Sequence, residues 1–391
     1  MNDEPFHPAQ RILMGPGPSG VDPRVYRALT APVLGHLDPQ YLTLLDRIAA
    51  RLRRIFAAPE HALTGALPGT GSAGMEACMI NLIEPGDRVV IGVAGYFGER
   101  LVEMATRAEA RVVRVDAPWG EPVPAEALAA ALDDETRLLA LVHGETSTGV
   151  LQPMADVAQV MRGKSALLVL DTVTSLGTTE VDLARWGVDA AYSCTQKGLG
   201  CVPGLAPVSF SPRAAERIRS RKTPPRSWYL DMNLLQSYWG AERVYHHTSS
   251  STLSYALEEA LRIVEEEGTG ARAERHRRNA RALVAGLEAM GLEMVVDEKF
   301  RLPAISVVRI PEGVDDVALR RMLLENYDLE IGGGLGVFKG KAWRIGLMGT
   351  SSSANHVMLC LTALESTLAA MAAPITTGAS AEAARTVLFP S

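Results

Sequence analysis

Cysteine is scarce in this sequence, and an excess of basic charge is lacking. The four cysteines (Cys78, Cys194, Cys201 and Cys360) show no CxxC or CxxxH spacing. This argues against a zinc site and a disulfide framework, and favours a reducing compartment. Lysine and arginine number 39 against 45 aspartates and glutamates, which gives a net charge of −6. That balance argues against nucleic acid or an anionic membrane as the main partner.

Long hydrophobic runs are also lacking. The longest apolar stretches have the length of a strand and stay below the ~18 residues of a membrane-spanning helix. The N-terminus carries Asp3, Glu4 and Pro5 where a signal peptide needs a basic start and an apolar core. We therefore expect a cytoplasmic protein with no membrane segment.

The length and composition are those of a globular protein. The 391 residues are 47% apolar and 21% charged, and a chain of this length corresponds to about two domains. Changes in residue pattern predict four regions, an extended arm over 1–20, a large domain over 21–268, a small C-terminal domain over 269–373 and a loosely held tail over 374–391.

The predicted large domain alternates short apolar runs with helical patterns. Near-continuous apolar runs, typical of strands buried on both faces, occupy Arg88–Val93, Leu138–His143, Ala166–Thr172 and Ala206–Phe210. Helical stretches such as Ala125–Ala131 and Met154–Met161 lie between them. This alternation predicts an α/β fold with a mainly parallel sheet between layers of helices.

The pattern changes near residue 250. Thr252–Glu267 reads as an amphipathic helix that Gly268 ends, and a basic helix follows over Arg272–Met290. Beyond them the sequence predicts a few strands and two further helices, at Glu293–Val296, Ala304–Ile310, Ala342–Leu347, from Asp315 and over Asn355–Met371. Helices segregated from a few strands indicate a smaller α+β domain.

Polar side chains follow three of the apolar runs of the large domain. Gly144–Gly149 carries a cluster of hydroxyls, Asp171 ends the next run, and Lys197 follows the run at Ala190–Tyr192. Taken singly, such an aspartate is more often a turn or cap residue and such a lysine a solvated one. Because ligands bind at the carboxyl ends of strands in open α/β sheets, the three together predict a site.

The segment Gly69–Gly74 matches the pattern GxGxxG. A dinucleotide fold is disfavoured, because the preceding residues 62–68 contain Gly65 and Pro68 and make a poor central strand. What remains is a turn of small residues that opens a helix. Its free N–H groups would hold a phosphate, with an ordinary helix cap as the alternative.

A phosphate cradle, an aspartate and a lysine together suggest pyridoxal 5′-phosphate. Lys197 would form the Schiff base, and Asp171 would pair with the ring nitrogen. Of the neighbours Tyr96 and Phe97, we expect Phe97 to stack on the ring. Arg344 lies mid-strand between apolar neighbours, where it would capture a substrate carboxylate or else form an ion pair within its domain.

At these residues the sequence resembles the class V branch of the fold-type I pyridoxal-phosphate aminotransferases, specifically the alanine–glyoxylate/serine–glyoxylate aminotransferase family. The resemblance covers roughly residues 11–370. Its motifs in this chain are LMGPGPS (13–19), GHLDP (35–39), GTGSAGMEA (69–77), EPGDRVVIGVAGYFGER (84–100), HGETSTGVLQP (143–153), LDTVTSLG (170–177), YSCTQKGLGCVPG (192–204), WYLDMN (228–233), VYHHT (244–248) and WRIGLMG (343–349).

The resemblance implies a role for each matching position. The implied cofactor contacts are Thr70, Gly71, Ser72 and Gln196 at the phosphate, Thr146 near the phenolic oxygen, Val173 on the ring and Asp171 at its nitrogen. Lys197 would be both the Schiff-base residue and the general base.

It also implies a homodimer with shared sites. Tyr245 and Thr248 would reach the phosphate of the neighbouring subunit, and the arm over 1–20 would embrace that subunit. Arg344 would bind the substrate carboxylate, and Gly17 would belong to the wall of the substrate pocket.

Some positions depart from the family pattern. Ser249–Ser251 stands where relatives commonly carry an apolar or proline-containing triplet, and the segment 350–354 is likewise rich in serine. Both affect the expected substrate preference rather than the cofactor chemistry. His36 and Tyr245 replace the Gln and Asn typical of the ureidoglycine–glyoxylate branch, which disfavours that branch.

The expected reaction is a ping-pong transamination from L-alanine, or L-serine, to glyoxylate. Glycines at 15, 17 and within 332–336, with a single arginine, suit a small uncharged side chain better than glutamate. Serine–pyruvate or ureidoglycine–glyoxylate transamination is the alternative within the same fold. An inactive dimeric binding protein is a distant alternative, since Lys197, Asp171 and Arg344 are all present.

Two other classes fit less well. A cysteine desulfurase needs a nucleophilic cysteine on a mobile loop, whereas Cys360 lies in a helical pattern and Cys201 closely follows the lysine. A dehydrogenase would leave Lys197 and Asp171 unexplained. The histidines lack carboxylates or cysteines at ligand spacing, so we expect no metal.

Overall fold

The structure of the protein is a computed structural model that describes residues 5–390. Strands and helices alternate through the first half of the chain. In order they are β1 (Ile12–Leu13), α1 (Pro23–Leu29), α2 (Pro39–Ile55), β2 (Leu63–Pro68), α3 (Gly71–Leu82), β3 (Arg88–Val93), α4 (Tyr96–Arg107), β4 (Arg111–Asp116), α5 (Ala125–Ala131), β5 (Thr136–Val142), β6 (Gly144–Glu145), β7 (Val150–Leu151), α6 (Met154–Met161) and β8 (Leu167–Asp171).

Helices dominate the second half of the chain, which also contains a small antiparallel sheet. The elements of this half are, in order, α7 (Leu183–Trp186), β9 (Ala190–Tyr192), β10 (Leu205–Phe210), α8 (Pro212–Arg219), α9 (Met232–Trp239), α10 (Ser251–Glu267), α11 (Thr269–Ala289), β11 (Ile305–Arg309), α12 (Asp316–Tyr327), β12 (Leu329–Glu330), β13 (Gly332–Gly333), β14 (Ala342–Gly346), α13 (Ala354–Ala370) and α14 (Ser380–Leu388).

A seven-stranded sheet forms the centre of the large domain, in the order β2-β10-β9-β8-β5-β3-β4. Strands β9, β8, β5, β3 and β4 are parallel, and β10 runs antiparallel to both of its neighbours. The mainly parallel sheet of the predicted α/β fold is thereby confirmed. Strand β2 lies at the edge, where the Gly65 and Pro68 that make it a poor central strand are tolerated.

Both faces of the sheet are buried, because successive side chains of a strand point to opposite sides. Val90 packs into a cluster with residues of α2 and α10, whereas Val89 and Ile91 pack into a second cluster with α3. Helix α2 fits its face by burying residues at spacings of three and four, after Asp38 caps its first turn. The continuous apolar strands therefore follow from helices on both sides.

The small domain is a three-stranded antiparallel sheet, β11-β14-β13, covered by helices. Its core includes Leu283 and Leu287 of α11, Trp343 of β14 and Leu361 of α13. The expected strand at Glu293–Val296 is wrong. The segment pairs with β11 at one position only, in an isolated antiparallel bridge between Met294 and Val308, which is too short to count as a strand.

The N-terminal segment belongs partly to the small domain of its own chain. Strand β1 pairs in parallel with β12, and Met14 is fully buried in the small-domain core. Of the predicted arm over 1–20, residues 5–10 are exposed. Contact of this arm with a partner subunit remains a prediction.

The expectation of a loosely held tail over 374–391 is wrong for helix α14, which covers half of that segment; residue 391 lies outside the described residues. Helix α14 packs against α11 and α13. Ala384 and Leu388, one helical turn apart, are buried in the small-domain core. The expectation was wrong because the tail is rich in small and polar residues, and the few apolar residues at helical spacing in α14 do not stand out.

Candidate active site

Lys197 lies in the loop after β9, at the carboxyl edge of the parallel strands. Its side chain is buried, and Nζ donates hydrogen bonds to Thr146 Oγ1 at 2.9 Å and to Thr174 Oγ1 at 3.0 Å. Burial lowers the pKa of this amine below its ordinary value of 10.5, because desolvation disfavours the charged form. The lysine is thereby adapted to accept a proton.

Asp171 is the last residue of β8, and its carboxylate is fixed by two donors. The Tyr192 hydroxyl donates to Oδ2 at 2.7 Å, and the Val173 backbone N–H donates to Oδ1 at 2.8 Å. Burial raises the pKa of Asp171 to about 6 despite these bonds. A cation placed against this carboxylate would favour its ionised form.

The GxGxxG segment opens helix α3 beside Asp171. Thr70 is the N-cap residue, and its side chain makes no capping hydrogen bond. The first N–H groups of a helix lack intrahelical acceptors, so they are available to an anion. A Cβ on Gly71 would lie 2.8 Å from Val173 Cγ2, so this turn packs directly on the loop that follows Asp171.

Phe97 stands near the lysine, at the start of α4. The centre of its ring lies 5.7 Å from Lys197 Nζ. The buried Glu145 carboxylate accepts hydrogen bonds from the backbone N–H groups of Phe97 at 3.2 Å and Gly98 at 3.3 Å. Glu145 therefore satisfies the first turn of α4 and fixes the position of the ring.

Arg344 is buried in the middle of β14, where its Nε donates to the Gly333 carbonyl at 2.8 Å. Its Nη1 donates to the Thr146 carbonyl at 3.4 Å. Within residues 5–390 it makes no ion pair with a carboxylate, so the alternative of an intradomain ion pair does not hold in the described chain. Burial lowers the pKa of Arg344 to about 10. The guanidinium is still charged at neutral pH, and it keeps donors free for a carboxylate ligand.

The glycine-rich N-terminal segment lies against the lysine. Gly17 adopts a φ of +116°, and a Cβ there would lie 3.2 Å from Lys197 Cε. The Ser19 hydroxyl donates to the Lys197 carbonyl at 2.9 Å. Only a residue without a side chain leaves this space open beside the amine.

Gln196, Tyr245 and Thr248 are less integrated into this cluster. The Gln196 Oε1 atom is buried without a hydrogen-bond partner. Tyr245 and Thr248 are exposed and lie side by side, with their hydroxyl oxygens 3.4 Å apart. Among the contacts of the described chain, none joins these two residues to Lys197 or Asp171.

Four polar residues of the site were not anticipated from the sequence. They are Thr174, Tyr192, Glu145 and Arg100. Tyr192 had a signal, since it ends β9 as Asp171 ends β8, and the two are paired in the parallel register. Thr174 and Glu145 lie within the motifs already singled out. The bond of Arg100 to Ser72 Oγ, 2.9 Å long, joins two helices and has no local pattern.

Comparison with known proteins gives a consistent result. The family model described as aminotransferase class V matches residues 26–339. An alanine–glyoxylate aminotransferase from Drosophila melanogaster is 40% identical over 366 residues, 92% of this chain and 93% of that protein.

The chain belongs to the class V aminotransferase family.

Two solved structures in this family are similar over nearly the whole chain. An alanine–glyoxylate aminotransferase from Nostoc sp. is 49% identical with a TM-score of 0.92, covering 94% of this chain and 98% of that one. A ureidoglycine–glyoxylate aminotransferase from Bacillus subtilis is 37% identical with a TM-score of 0.96, covering 98% of this chain and 99% of that one. The fold-type I architecture is thereby confirmed.

The cofactor of this class V aminotransferase is pyridoxal 5′-phosphate, and the buried polar groups fit it. A buried lysine faces two hydroxyls, a buried aspartate has no cation partner among the described residues, and the N-terminus of α3 packs on the loop that follows this aspartate. The buried Oε1 atom of Gln196, the residue before the lysine, also lacks a partner. These groups would supply an aldehyde-reactive amine, an acceptor for a protonated ring nitrogen and an anion cradle. Within residues 5–390 no group of histidine, cysteine, aspartate and glutamate is arranged to hold a metal ion.

Two features weigh against the neighbouring chemistries. Burial raises the pKa of Cys201 and of Cys360 to about 12, so neither is a ready nucleophile for desulfuration. The GxGxxG segment follows an edge strand rather than a central one, which does not fit a dinucleotide-binding dehydrogenase.

Across the described chain, no helix is long and apolar enough to span a bilayer.

Proposed function

We propose that the protein transfers the amino group of a small amino acid, L-alanine or L-serine, to glyoxylate. The products are glycine and pyruvate, or hydroxypyruvate from serine. The observation that carries this proposal is the shared neighbour of Arg344 and Lys197. The carbonyl of Thr146 accepts from the arginine, and its hydroxyl accepts from the lysine. An α-amino acid held at Arg344 thus has its Cα near the lysine amine.

Arg344 binds the substrate carboxylate. Its guanidinium is buried and has no carboxylate partner in the described chain, so a substrate carboxylate would supply the missing charge. Gly17 beside the lysine and the glycines of β13 beside the arginine leave room for a short side chain only. A dicarboxylic substrate would need a second cation.

Lys197 moves the proton. When bound, pyridoxal phosphate supplies the aldehyde that takes up the amino group and the ring that accepts the electron pair of Cα. Lys197 Nζ removes the proton from Cα and returns it on the cofactor side, and burial, which lowers the pKa of this amine, favours the neutral form that can take up a proton. Thr146 and Thr174 hold Nζ in place between these two positions.

Asp171 and the surrounding contacts orient the cofactor. Its carboxylate, fixed by Tyr192 and the Val173 amide, would hold a protonated ring nitrogen. Phe97 and Val173 would cover the two ring faces, and Thr146 would lie near the phenolic oxygen. The phosphate would bind at Thr70, Gly71 and Ser72, with Gln196 as a further donor.

The proposal is tested by half-reactions. Purified enzyme loaded with cofactor is mixed with L-alanine without any keto acid, and the visible absorption and released pyruvate are followed. We expect the band of the lysine-bound cofactor to convert to the pyridoxamine form, and glyoxylate then to restore it with release of glycine. A band that no amino acid shifts would overturn the substrate class. Lys197→Ala serves as the control that lacks the lysine-bound band.

A second candidate donor is (S)-ureidoglycine. It is favoured by the similarity to the Bacillus subtilis ureidoglycine–glyoxylate aminotransferase, whose structure superimposes with a TM-score of 0.96. The same half-reaction with L-alanine, L-serine and (S)-ureidoglycine, each at the same concentration, ranks the donors. Faster conversion by (S)-ureidoglycine would assign the protein to that activity.

We further propose that the enzyme is a cytoplasmic homodimer whose sites combine two subunits. The exposure of Tyr245 and Thr248, away from the lysine of their own chain, supports a role in the phosphate site of a neighbouring subunit.

The proposed cytoplasmic location is supported by the four free cysteines, which are typical of a reducing compartment.

Shared sites can be tested by co-expressing two inactive variants, Lys197→Ala and the double variant Tyr245→Ala, Thr248→Ala. In a mixed dimer with shared sites, one site contains the intact lysine and the intact pair, so activity returns. If the pair serves its own subunit, the mixture stays inactive.

A further inference from the structure

Arg100 carries a positive charge to the N-terminal end of helix α3. It lies in the first turns of α4, and its Nη1 donates a hydrogen bond of 2.9 Å to Ser72 Oγ in the first turn of α3. A helix N-terminus has a partial positive charge, so a second cation there is unfavourable unless an anion is close. The guanidinium position therefore calls for a negative partner.

That partner is missing from the described chain. Other arginines around α4 are paired, Arg107 with Glu103 and Arg114 with Glu99. Within residues 5–390 Arg100 makes no ion pair with a carboxylate, and its one hydrogen bond runs to a neutral hydroxyl. Its guanidinium carbon lies 4.9 Å from the centre of the Phe97 ring, so the cation is held between the cradle and this ring.

We propose that Arg100 is a positioning residue for the cofactor phosphate and acts through Ser72. A serine hydroxyl has two lone pairs and one proton. Because Arg100 donates to a lone pair, the Ser72 proton is free to point at the phosphate. The arginine also balances part of the charge of roughly −2 that a phosphate monoester carries at neutral pH. This proposal rests on the cofactor site of the proposed function.

The test compares two ligands that differ only in the phosphate. Cofactor-free wild type, Arg100→Gln and Arg100→Lys are titrated with pyridoxal 5′-phosphate and with pyridoxal, and binding is followed by visible absorption. We expect Arg100→Gln to raise the Kd for pyridoxal phosphate by about 10- to 100-fold, an effect typical of a lost charge-assisted contact. The Kd for pyridoxal should stay within about twofold. Arg100→Lys should be intermediate, since lysine keeps the charge and loses the planar fork.

Other outcomes separate the alternatives. Equal weakening of both ligands would mean that Arg100 acts through the Phe97 ring or the local fold, and would overturn the proposal. Unchanged binding of both would also overturn it. Arg107→Gln, on the exposed side of the same helix, is the matched control and should bind both ligands like wild type. Because the readout is binding, failure here is distinct from failure of the transamination experiment, in which wild type would not convert a donor.

Discussion

The hydroxyl of Tyr192 donates a hydrogen bond of 2.7 Å to Asp171 Oδ2. The two residues end neighbouring parallel strands and are paired in register, so their side chains lie on the same face of the sheet. This bond lowers the pKa of the buried carboxyl, in opposition to the dominant effect of burial. Tyr192 therefore helps to keep Asp171 ionised, as the proposed pairing of Asp171 with a protonated ring nitrogen requires.

Replacing Tyr192 by phenylalanine tests this role. Without the donor, the pKa of Asp171 rises further and the ring nitrogen is held less firmly. We expect the rate of the L-alanine half-reaction to fall by about tenfold, the loss of roughly one charge-assisted hydrogen bond. The loss should be greater at pH 6 than at pH 8, because more of the carboxyl is protonated there. Stopped-flow absorption measures it, with Tyr327→Phe on α12 as the control. A deficit that is equal at both pH values would contradict the role.

Asp171 also makes the stability of the cofactor-free protein depend on pH. Its folded-state pKa is about 6, above the ordinary value of 3.8. Between these values the folded protein holds a proton that the unfolded chain has released, so the free energy of unfolding falls as pH rises through this window. Asp171→Asn should remove this fall, which amounts to about 2 kcal/mol between pH 4.5 and pH 7. Urea unfolding of the apoprotein near pH 4.5 and pH 7 measures it, with Asp134→Asn, at an exposed position, as the control. An unchanged pH difference would refute the assignment.

Much of the fold was predictable because its strands are long apolar runs between turn residues. Arg88–Val93 has these bounds in both the prediction and the structure, as do the helices Ala125–Ala131 and Met154–Met161. The strands are buried on both faces, so their sequences are continuously apolar and their bounds do not depend on an alternating pattern. The strand expected at Glu293–Val296 failed because an apolar segment of that length does not reveal how far its partner extends. Helix α14 was hidden by its polar, alanine-rich composition.

Only those residues of the candidate site could be predicted whose position follows from the order of strands and helices along the chain. Asp171, Lys197 and the α3 turn stand out because each follows or opens an element at the same sheet edge. The state of Arg344 could not be deduced, since an ion pair depends on which side chains the fold brings to β14. The bonds from Lys197 to Thr174 and from Arg100 to Ser72 likewise depend on side-chain directions that no spacing encodes.

The Lys197–Thr174 hydrogen bond predicts a positioning role for Thr174. Thr174→Val keeps the shape of the side chain and removes the hydroxyl, whereas Thr174→Ser keeps the hydroxyl. We expect the valine variant to slow the half-reaction with L-alanine by up to about tenfold, the effect of one neutral hydrogen bond, and the serine variant to retain most of the rate. With L-alanine deuterated at Cα, the isotope effect should increase in the valine variant, since proton transfer becomes slower. Equal rates in the two variants would show that the hydroxyl does not act on the amine.

Arg344 predicts a dependence on the substrate carboxylate. Arg344→Gln removes the charge, so kcat/KM for L-alanine should fall by about 10²-fold or more, as when one partner of a buried charge pair is lost. Ethylamine lacks the carboxylate, and its slow conversion of the lysine-bound cofactor should be unchanged. Arg344→Lys should recover part of the L-alanine rate, since the charge returns without the bidentate fork.

The control for this experiment is Arg309→Gln, an exposed arginine on the neighbouring strand β11 that pairs with Glu293. It should leave both substrates unaffected. Because the pKa of Arg344 stays near 10, wild-type KM for L-alanine should show no titration of this group between pH 6 and pH 8. A parallel loss of both the L-alanine and ethylamine reactions in Arg344→Gln would mean that Arg344 supports the fold of β14 instead of binding the carboxylate.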